Sequence, residues 1–444
     1  MKIKILVATL LTLALFTAGY AQTPDKAKLD QFFDRLAEKN KAMGSLTIAR
    51  DGNVFYTRAI GYSQINGTEK KPLTAATRYR IGSITKMFTA SMILQLVEEG
   101  KLKLTDTLDK FFPQIANAGK ITIAHMLAHR SGIHDIFEDP NLRPLKTTPK
   151  TQNELLAIIA KGTPDFEPDA RYSYSNSGYV LLGIIIEKVG GKPYQEALKK
   201  RITSKIGLKD TYVGTGNIDA NKNESFSYKY VRDWEQQTEV HSSILFGSGA
   251  IVSTPTDLIR FIQALFDGKI VSKESLDQMK TIRDGYGLGI ATFTYNGKTF
   301  YGHTGGIDNF GSWLAYLPEE KLALAYSSNA KVYPVAKIVD GVFDIYYNKP
   351  FTIPAFETIA ISSEVLDKYV GVYSSPGVPV KYTVTRDGAT LYVQPTGQSA
   401  APLEATAADK FKIDPPGIVM EFDAAKNQMT IKRSGRERVF TKEK

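Results

Sequence analysis

Residues 44–62 of the 444-residue chain, GSLTIARDGNVFYTRAIGY, have the pattern of a β-hairpin. Two runs rich in β-branched, aromatic and aliphatic residues, 44–50 and 54–62, flank Asp51-Gly52-Asn53. An Asp-Gly pair between such runs is a strong local signal for a tight turn between antiparallel strands. We therefore expect this segment to begin a sheet near the N-terminus.

A second hairpin pattern lies far along the chain, where strand-like runs at 311–317 and 321–327 are separated by a polar turn. Each hairpin has an amphipathic helix beside it. Apolar residues repeat at helical spacing over 29–36 before the first hairpin and over 332–347 after the second. The simplest arrangement joins both hairpins into one antiparallel sheet.

The residues between the hairpins, 75–285, are mostly helical in pattern. Apolar spacing predicts helices over 87–99, 153–161, 178–189 and 255–266. The last of these has a specified start, because Thr254 can cap it and Pro255 suits the first helical position. These features predict an α/β fold of the α+β kind: an antiparallel sheet flanked by helices with a large helical insert, and an active site between the two.

Three further regions complete the expected organisation. Residues 1–21 resemble a signal peptide, with lysines before an apolar run and small residues before the cleavage site. The main domain is expected over 22–348. A proline-containing linker over 349–362 then leads to a small all-β domain over 363–444, in which short strands alternate with turns.

The signal peptide expected over residues 1–21 predicts a periplasmic or secreted protein. Its apolar run is shorter than the roughly 20 residues that a membrane span needs, which favours cleavage over a retained anchor helix. We therefore expect no stable membrane insertion. The mild positive charge is compatible with contact to anionic envelope polymers such as peptidoglycan.

Composition excludes several classes of function. The absence of cysteine removes disulfide scaffolds, thiol nucleophiles and iron–sulfur clusters, and five histidines leave little material for a metal site. The net charge is +10, but no basic stripe interleaved with aromatic residues is present, which argues against nucleic-acid binding. We expect neither a metal nor another cofactor.

Ser83-Ile84-Thr85-Lys86 is the first candidate for chemistry. A serine and a lysine three residues apart on a helix face the same way, with the amine in reach of the hydroxyl. Lys86 falls in the apolar stripe of its helix, so burial is expected. A buried lysine there is either a catalytic group with a tuned pKa or a structural lysine.

Two polar segments follow in the chain. In Tyr174-Ser175-Asn176, a tyrosine beside a lysine ammonium is expected to have a lowered pKa and to accept a proton from the serine, although Asn176 can also simply cap the next helix. In His303-Thr304-Gly305, followed by Gly306, the glycines allow close backbone approach and a free N–H, although a strand bulge with a structural histidine is an alternative.

His125 and His129, four residues apart, and the nearby His134-Asp135 suggest a metal site only superficially. The glutamate of the His-Glu-x-x-His zinc motif is absent, so a structural role near the Arg130-Ser131-Gly132 turn is favoured. The chain also lacks Gly-x-Ser-x-Gly, which removes the nucleophile elbow of α/β-hydrolases.

The order Ser-x-x-Lys, Tyr-x-Asn, His-Thr-Gly resembles the penicillin-recognising serine hydrolase superfamily. That group includes class C β-lactamases, DD-carboxypeptidases, D-aminopeptidases and related esterases. Segments 121–133, 166–183 and 247–261 also look like family blocks, and the resemblance covers residues 25–348. The C-terminal β-domain is similar to an addition found in some members.

The resemblance implies a role for each motif residue. Ser83 is the expected nucleophile, and Lys86 and Tyr174 are expected to move protons. Asn176 is expected to contact a substrate amide. The backbone N–H groups of Ser83 and Gly306 would form the oxyanion hole. The strand along which the substrate lies would be lined by His303, Thr304 and Gly305.

Two positions depart from relatives that bind a substrate carboxylate. Most β-lactamases carry lysine where this chain has His303, and a largely neutral imidazole holds a carboxylate less strongly than an ammonium does. DD-carboxypeptidases with histidine there often follow the glycine with a hydroxyl residue, whereas this chain has Gly306. Efficient β-lactam hydrolysis is therefore not expected.

The resulting expectation is an exported serine hydrolase, D-alanyl-D-alanine carboxypeptidase-like, acting on short peptides that contain D-amino acids. Small esters and β-lactam-like molecules are the other substrate classes. The alternatives are an esterase or D-aminopeptidase of the same superfamily, or a non-catalytic protein that binds penicillin or peptidoglycan.

Overall fold

The structure, a computed structural model, describes residues 24–139, 142, 146–357, 359–398, 400–413, 417–433 and 435–443. The signal peptide predicted for residues 1–21 lies outside these ranges. Within them, no helix is both long enough and apolar enough to cross a membrane.

Six antiparallel strands form the core sheet. In spatial order they are Ala291–Tyr295, Lys298–Ile307, Phe310–Leu317, Leu322–Lys331, Ala42–Arg50 and Asn53–Ile60. The N-terminal hairpin joins the C-terminal strands because Ala42–Arg50 pairs with Leu322–Lys331, which places Ile48 opposite Leu324. The prediction of one sheet built from both hairpins is confirmed.

Both faces of the core sheet are covered. On one face, Leu46 and Tyr326 pack with two flanking helices, Lys26–Glu38 and Val335–Tyr346. On the other face, Ala325 belongs to the larger core that the sheet shares with the helical insert. Because both faces are covered, the central strands are buried along almost their whole length, including polar residues such as Ser45, Thr47 and Ser327.

The insert contains most of the helices. They are Thr85–Glu98, Ile123–Leu127, Gln152–Lys161, Asn176–Gly190, Tyr194–Leu198, Ser204–Ile206, Ser242–Gly249, Pro255–Phe266 and Lys273–Met279, with a π-helical turn at Lys199–Thr203. Short 3-10 turns occur at Gly82–Ile84, Leu108–Lys110, Ile136–Glu138, Ala220–Lys222 and, in the sheet region, Pro318–Glu320. Short strands are Tyr62–Asn66, Glu69–Pro72, Tyr79–Arg80, Tyr212–Val213, Tyr228–Tyr230, Trp234–Gln236 and Ile251–Ser253.

The predicted helices of the insert are confirmed. The fourth has its predicted bounds, Pro255–Phe266, and its start is specified as expected, because the Thr254 hydroxyl accepts the Asp257 N–H at 3.2 Å. Phe261 of this helix stacks on Phe88, with ring centroids 3.7 Å apart. This stacked pair ties the helix that follows Ser83 to a helix that packs on the core sheet.

A nine-stranded antiparallel sheet forms the C-terminal part. Its strands are Gly371–Ser374, Tyr382–Asp387, Thr390–Pro395, Ala401–Pro402, Glu404–Ala407, Lys410–Ile413, Ile418–Asp423, Gln428–Arg433 and Arg436–Lys442, preceded by the helix Ser363–Asp367. The two strands at its spatial edges, Ala401–Pro402 and Glu404–Ala407, are consecutive in the chain, so the sheet curls into a barrel. We call it the β-barrel. The predicted all-β fold of this region is confirmed.

Replacing Phe88 by alanine is expected to lower the free energy of unfolding by about 3 to 5 kcal/mol, because a fully buried aromatic ring is lost and a cavity remains. Urea unfolding followed by fluorescence measures the change. Phe88→Leu, which keeps most of the volume, should cost clearly less. Equal unfolding midpoints for Phe88→Ala and the wild type would show that the stacked pair does not support the insert.

Candidate active site

Ser83 lies on the 3-10 turn Gly82–Ile84, which runs directly into the helix Thr85–Glu98. Its side chain is half-buried, at the junction between the insert and the core sheet. The first N–H groups of a helix have no partner within the helix and carry a partial positive charge. This position therefore combines an accessible hydroxyl with N–H donors that favour negative charge nearby.

Lys86 is fully buried one turn after Ser83, as its place in the apolar stripe predicted. Its Nζ lies 3.1 Å from Ser83 Oγ, 2.8 Å from Asn176 Oδ1 and 2.9 Å from the carbonyl oxygen of Ser248. The residues around the amine come from three separate helices of the insert. The amine is thus held in one place with the serine hydroxyl in reach.

Burial lowers the pKa of Lys86 to about 7, and the charge of Asp135 opposes this shift. The cause is the cost of keeping an ammonium away from water. At neutral pH a substantial fraction of the amine is therefore uncharged and can accept a proton. A catalytic lysine, one of the two interpretations left open by the sequence, needs an amine that can be uncharged at neutral pH, and Lys86 meets this condition.

Asp135 holds the amide of Asn176 in its orientation. Asp135 Oδ2 accepts from Asn176 Nδ2 at 2.8 Å and from the Asn176 backbone N–H at 3.2 Å. The amide oxygen consequently faces Lys86, and Asp135 accepts one of the two Nδ2 hydrogens. Asn176 is the first residue of the helix Asn176–Gly190, but its side chain is used in this network rather than as a cap.

Tyr174 lies on the other side of the serine, within hydrogen-bonding reach of the Ser83 hydroxyl and with its ring centre 4.8 Å from Lys86 Nζ. Burial raises its pKa, so the expected lowering of the Tyr174 pKa is wrong. The physical reason is that desolvation disfavours the phenolate, while a lysine with a pKa near 7 supplies little positive charge to stabilise it. Tyr174 is therefore a neutral phenol, able to donate or relay a proton.

His129 supports the loop that carries Tyr174. Its ring lies 4.2 Å from the Tyr174 ring, and its Nδ1 accepts the Ser175 N–H at 3.1 Å. Its φ of 55° is in the left-handed region, uncommon for a residue other than glycine. The structural role expected for this histidine is confirmed.

Arg130 extends this support. Its guanidinium is buried and forms ion pairs with Asp169, at 2.6 Å, and with Asp284, at 2.5 Å. Gly132 follows with a φ of 73°, and a Cβ there would lie 2.1 Å from the carbonyl oxygen of Phe166. The segment 129–132 therefore fixes the loop 165–175 from both ends.

His303 is buried beside Tyr174, with its two ring nitrogens already engaged. Its Nε2 lies 2.8 Å from the Tyr286 hydroxyl and its Nδ1 lies 2.5 Å from the carbonyl oxygen of Thr304. Burial, with a smaller contribution from Lys86, lowers the pKa of His303 to about 3. The imidazole is therefore neutral near pH 7, as the sequence analysis expected, with Nδ1 as donor and Tyr286 donating to Nε2.

Two glycine-containing segments touch backbone to backbone in front of Ser83. A Cβ on Gly82, whose φ is 54°, would lie 2.9 Å from the Gly306 nitrogen, and a Cβ on Gly305 would lie 1.9 Å from the carbonyl oxygen of Ile81. No side chain fits at either place. This approach places the backbone of Gly305 and Gly306 directly against the turn that carries Ser83.

The structure brings together every side chain that the motifs nominated, except that Thr304 points outward and is exposed. Sequence reasoning missed Asp135 as a positioning residue, because it was weighed only as a metal ligand. It also missed Tyr286 and the carbonyl of Ser248. A lone carboxylate between the apolar Ile133 and Ile136 was the available signal for Asp135.

The comparisons with known proteins agree with this geometry. The family model described as Beta-lactamase matches residues 29–344. The chain belongs to the Beta-lactamase family. Members of this superfamily are serine hydrolases, which agrees with the placement of Ser83 and Lys86.

Relatives of this Beta-lactamase family protein include penicillin-binding proteins and peptidases. Penicillin-binding protein 4* of Bacillus subtilis is 28% identical over 90% of this chain and 95% of its own length. AmpH of Escherichia coli K12, named a D-alanyl-D-alanine-carboxypeptidase/endopeptidase, is 24% identical over 80% of this chain and its full length.

Two solved structures are similar as well. The D-amino acid amidase of Ochrobactrum anthropi superposes with a TM-score of 0.64 at 29% identity, covering 72% of this chain and 99% of the amidase. The octameric penicillin-binding protein homologue of Pyrococcus abyssi gives a TM-score of 0.62 at 27% identity. It covers 94% of this chain and the whole homologue, so the likeness extends into the β-barrel.

The pKa of Lys86 predicts the pH dependence of this Beta-lactamase family protein. The value of kcat/KM should rise with pH through about 7 and then level off, because only the uncharged amine accepts the serine proton. An ester substrate without titrating groups is suitable for the measurement. Lys86→Arg, which stays charged, should lose activity at every pH. A flat profile across this range would contradict the assignment.

Asp135→Ala is expected to lower kcat/KM by about 10- to 100-fold, because the Asn176 amide loses its charged acceptor. It should also shift the pH profile to lower pH, since the carboxylate raises the pKa of Lys86. Asp135→Asn is the matched control: it removes the charge and shifts the profile, but keeps an acceptor oxygen. A profile that stays in place in both variants would exclude this positioning role.

Proposed function

We propose that the protein is an exported serine hydrolase that cleaves amide bonds of short peptides containing D-amino acids, through an acyl-enzyme on Ser83. The observation that carries the proposal is the contact of Ser83 Oγ with a buried lysine amine, 3.1 Å away, whose pKa is about 7. A nucleophile beside a base with a pKa near neutrality is the arrangement that covalent hydrolysis needs.

The first half of the reaction forms the acyl-enzyme. The uncharged Lys86 amine accepts the Ser83 proton as Oγ attacks the substrate carbonyl carbon. The N–H groups of Ser83 and Gly306 stabilise the negative oxygen of the tetrahedral intermediate. The C–N bond then breaks, and the leaving amine receives the proton from Lys86 through the Tyr174 phenol.

The second half releases the product. A water molecule gives its proton to the same pair of side chains and attacks the acyl carbon, and the C–O bond to Ser83 breaks as Oγ recovers its proton. All groups that this sequence of steps requires are side chains and backbone N–H groups of the chain. The protons and bonds of both steps are accounted for by these groups, the substrate and water.

The strand Lys298–Ile307 offers a place for an extended substrate. Within the described residues, the neighbouring strand Ala291–Tyr295 pairs only with its first half, up to Gly302. The outer edge of 303–307 is thus available to a peptide backbone, and Thr304 and Gly306 are exposed there. Addition of a peptide strand to a sheet edge is a common mode of peptide recognition.

D-alanyl-D-alanine carboxypeptidase-like activity is the finer proposal, supported by the name of AmpH among the relatives. A D-aminopeptidase, amidase or esterase is the second candidate. Two observations favour it. The imidazole of His303 is neutral, and both of its ring nitrogens already have hydrogen-bond partners in the protein. Gly306 has no side chain, and the space that its Cβ would occupy has no neighbouring atom within 4 Å. Neither position supplies the cation or hydroxyl that would hold a terminal carboxylate.

The site of action proposed is the periplasm or the medium, on the basis of the leader at 1–21. Short stem peptides of peptidoglycan are chemically suitable substrates there. The remaining alternative is a protein that binds penicillin or peptidoglycan without turnover, and covalent labelling distinguishes it from an enzyme.

Ser83→Ala is expected to abolish both turnover and covalent labelling. The measurement is the intact mass of the mature protein after incubation with benzylpenicillin, together with the rate on ester and peptide substrates. Ser91→Ala, which removes another hydroxyl from the following helix, is the matched control and should behave as the wild type. Wild-type rates in Ser83→Ala would overturn the proposal, and a lasting adduct without turnover of any substrate would favour the binding protein.

A peptide ending in D-Ala-D-Ala and its C-terminal amide separate the two enzymatic candidates. Since the group at His303 is neutral, we expect the acid and the amide to be cleaved with kcat/KM values within about tenfold of each other. A preference for the acid of about 100-fold or more corresponds roughly to one hydrogen bond to a charged group. Such a preference would show that a group other than His303 binds the terminal carboxylate.

A further inference from the structure

A cavity of about 770 Å³ lies between the β-barrel and the rest of the protein. We call it the interdomain cavity. One side is lined by residues in 39–41, 228–232 and 331–332, and the other by residues in 359–361, 389–392 and 401–405. Its volume falls in the range of about 300 to 1,000 Å³ that small-molecule sites occupy. Its lining does not include Ser83, Lys86, Tyr174 or His303.

The β-barrel supplies an apolar wall. Leu391, Leu403 and Phe411, which belong to the core of the barrel, also line the cavity. Ile359 is beside them with half of its surface exposed, an unusual exposure for a large aliphatic side chain in this protein. A hydrocarbon group placed here would remove apolar surface from water, which is the main favourable contribution to binding.

The opposite side of the cavity is positively charged. Its cationic lining residues are Lys39, Lys41, Lys229, Arg232 and Lys331. The lining holds two carboxylates, and both are already paired. Asp387 lies 2.8 Å from Arg232, and Glu404 forms an ion pair with Lys41. An excess of positive charge therefore remains at the cavity.

Apart from Lys41, three lysines line the cavity, and two of them form no ion pair with any described residue. They are Lys39, at the end of the first helix, and Lys331, at the end of a core-sheet strand. Lys331 is largely buried, and this burial lowers its pKa, although Asp308 acts in the opposite direction. The third, Lys229, donates to the carbonyl oxygen of Ala400 at 3.2 Å. A bound anion would offset the cost of holding a cation such as Lys331 away from water.

We propose that the interdomain cavity binds a single-chain aliphatic carboxylate, with the carboxylate at Lys39, Lys229 and Lys331 and the hydrocarbon chain against the β-barrel wall. The apolar wall favours a ligand with a hydrocarbon chain, and the lysines without ion pairs favour a ligand with a negative charge. The site is separate from the active site and does not depend on the reaction proposed for Ser83.

The test uses the full mature protein and 11-(dansylamino)undecanoic acid, whose fluorescence reports on an apolar surrounding. We expect saturable binding to one site, equal in the wild type and in Ser83→Ala, and displacement by dodecanoate. Decanoate, two methylenes shorter, should bind about 15-fold more weakly, since each buried methylene contributes about fourfold. Dodecan-1-ol, which lacks the charge, should bind at least about tenfold more weakly.

Variants test the residues. Lys39→Gln combined with Lys331→Gln should weaken binding of the probe at least about tenfold, whereas Lys331→Arg alone should retain it. Ile359→Asp, at a half-exposed position that tolerates a polar group, should also weaken binding. Lys161→Gln, on an exposed helix end away from the cavity, is the matched control and should bind as the wild type.

Several results would overturn the proposal. They are the absence of saturable binding, equal affinity for the alcohol and the carboxylate, and unchanged binding in the double lysine variant when circular dichroism shows that it is folded. Displacement of the probe by an excess of any substrate turned over at Ser83 would place the probe in the active site and would overturn it as well.

Discussion

The amine of Lys86 is kept away from water, and the rest of the site is arranged around it. Its three polar neighbours are the Ser83 hydroxyl, the Asn176 amide oxygen and the Ser248 carbonyl. None of them carries a charge, so desolvation is not compensated and the pKa falls to about 7. A direct ion pair with a carboxylate would have kept the amine charged and unable to accept a proton.

The carboxylate of Asp135 influences this amine without contacting it. Asp135 contacts Asn176 rather than Lys86, so its charge limits the fall of the lysine pKa without forming an ion pair with the amine. Tyr174 and His303 are buried close by and are neutral for the same reason. The site is therefore a buried pocket in which Tyr174 and His303 are neutral and Lys86 is only partly charged, and backbone N–H donors in such surroundings have a large effect on a developing negative charge.

Backbone contact is the second constraint. The turn that carries Ser83 meets the strand that carries Gly306 without any intervening side chain, and Gly82 and Gly305 are the residues that permit it. The core sheet holds one partner and the insert holds the other. Packing of the insert on the sheet, through pairs such as Phe88 and Phe261, is thus a condition for this backbone contact as well as for stability.

Much of this could be predicted from the sequence because the signals are local. The hairpin turn at Asp51-Gly52, the Thr254 cap and the burial of Lys86 each depend on residues within one or two turns of the chain, and the structure confirms them. The Ser83–Lys86 contact follows from helix geometry in the same way.

The sequence by itself therefore determined the elements, the joined sheet, the motif residues and the serine hydrolase class. Tertiary structure decided the protonation states and the partners, because desolvation depends on everything packed around a group. It reversed the expected shift of the Tyr174 pKa, since burial outweighs a lysine that is itself only partly charged. It also placed Asp135 on Asn176, and the lysines at 39 and 331 around one cavity, from positions far apart in the chain.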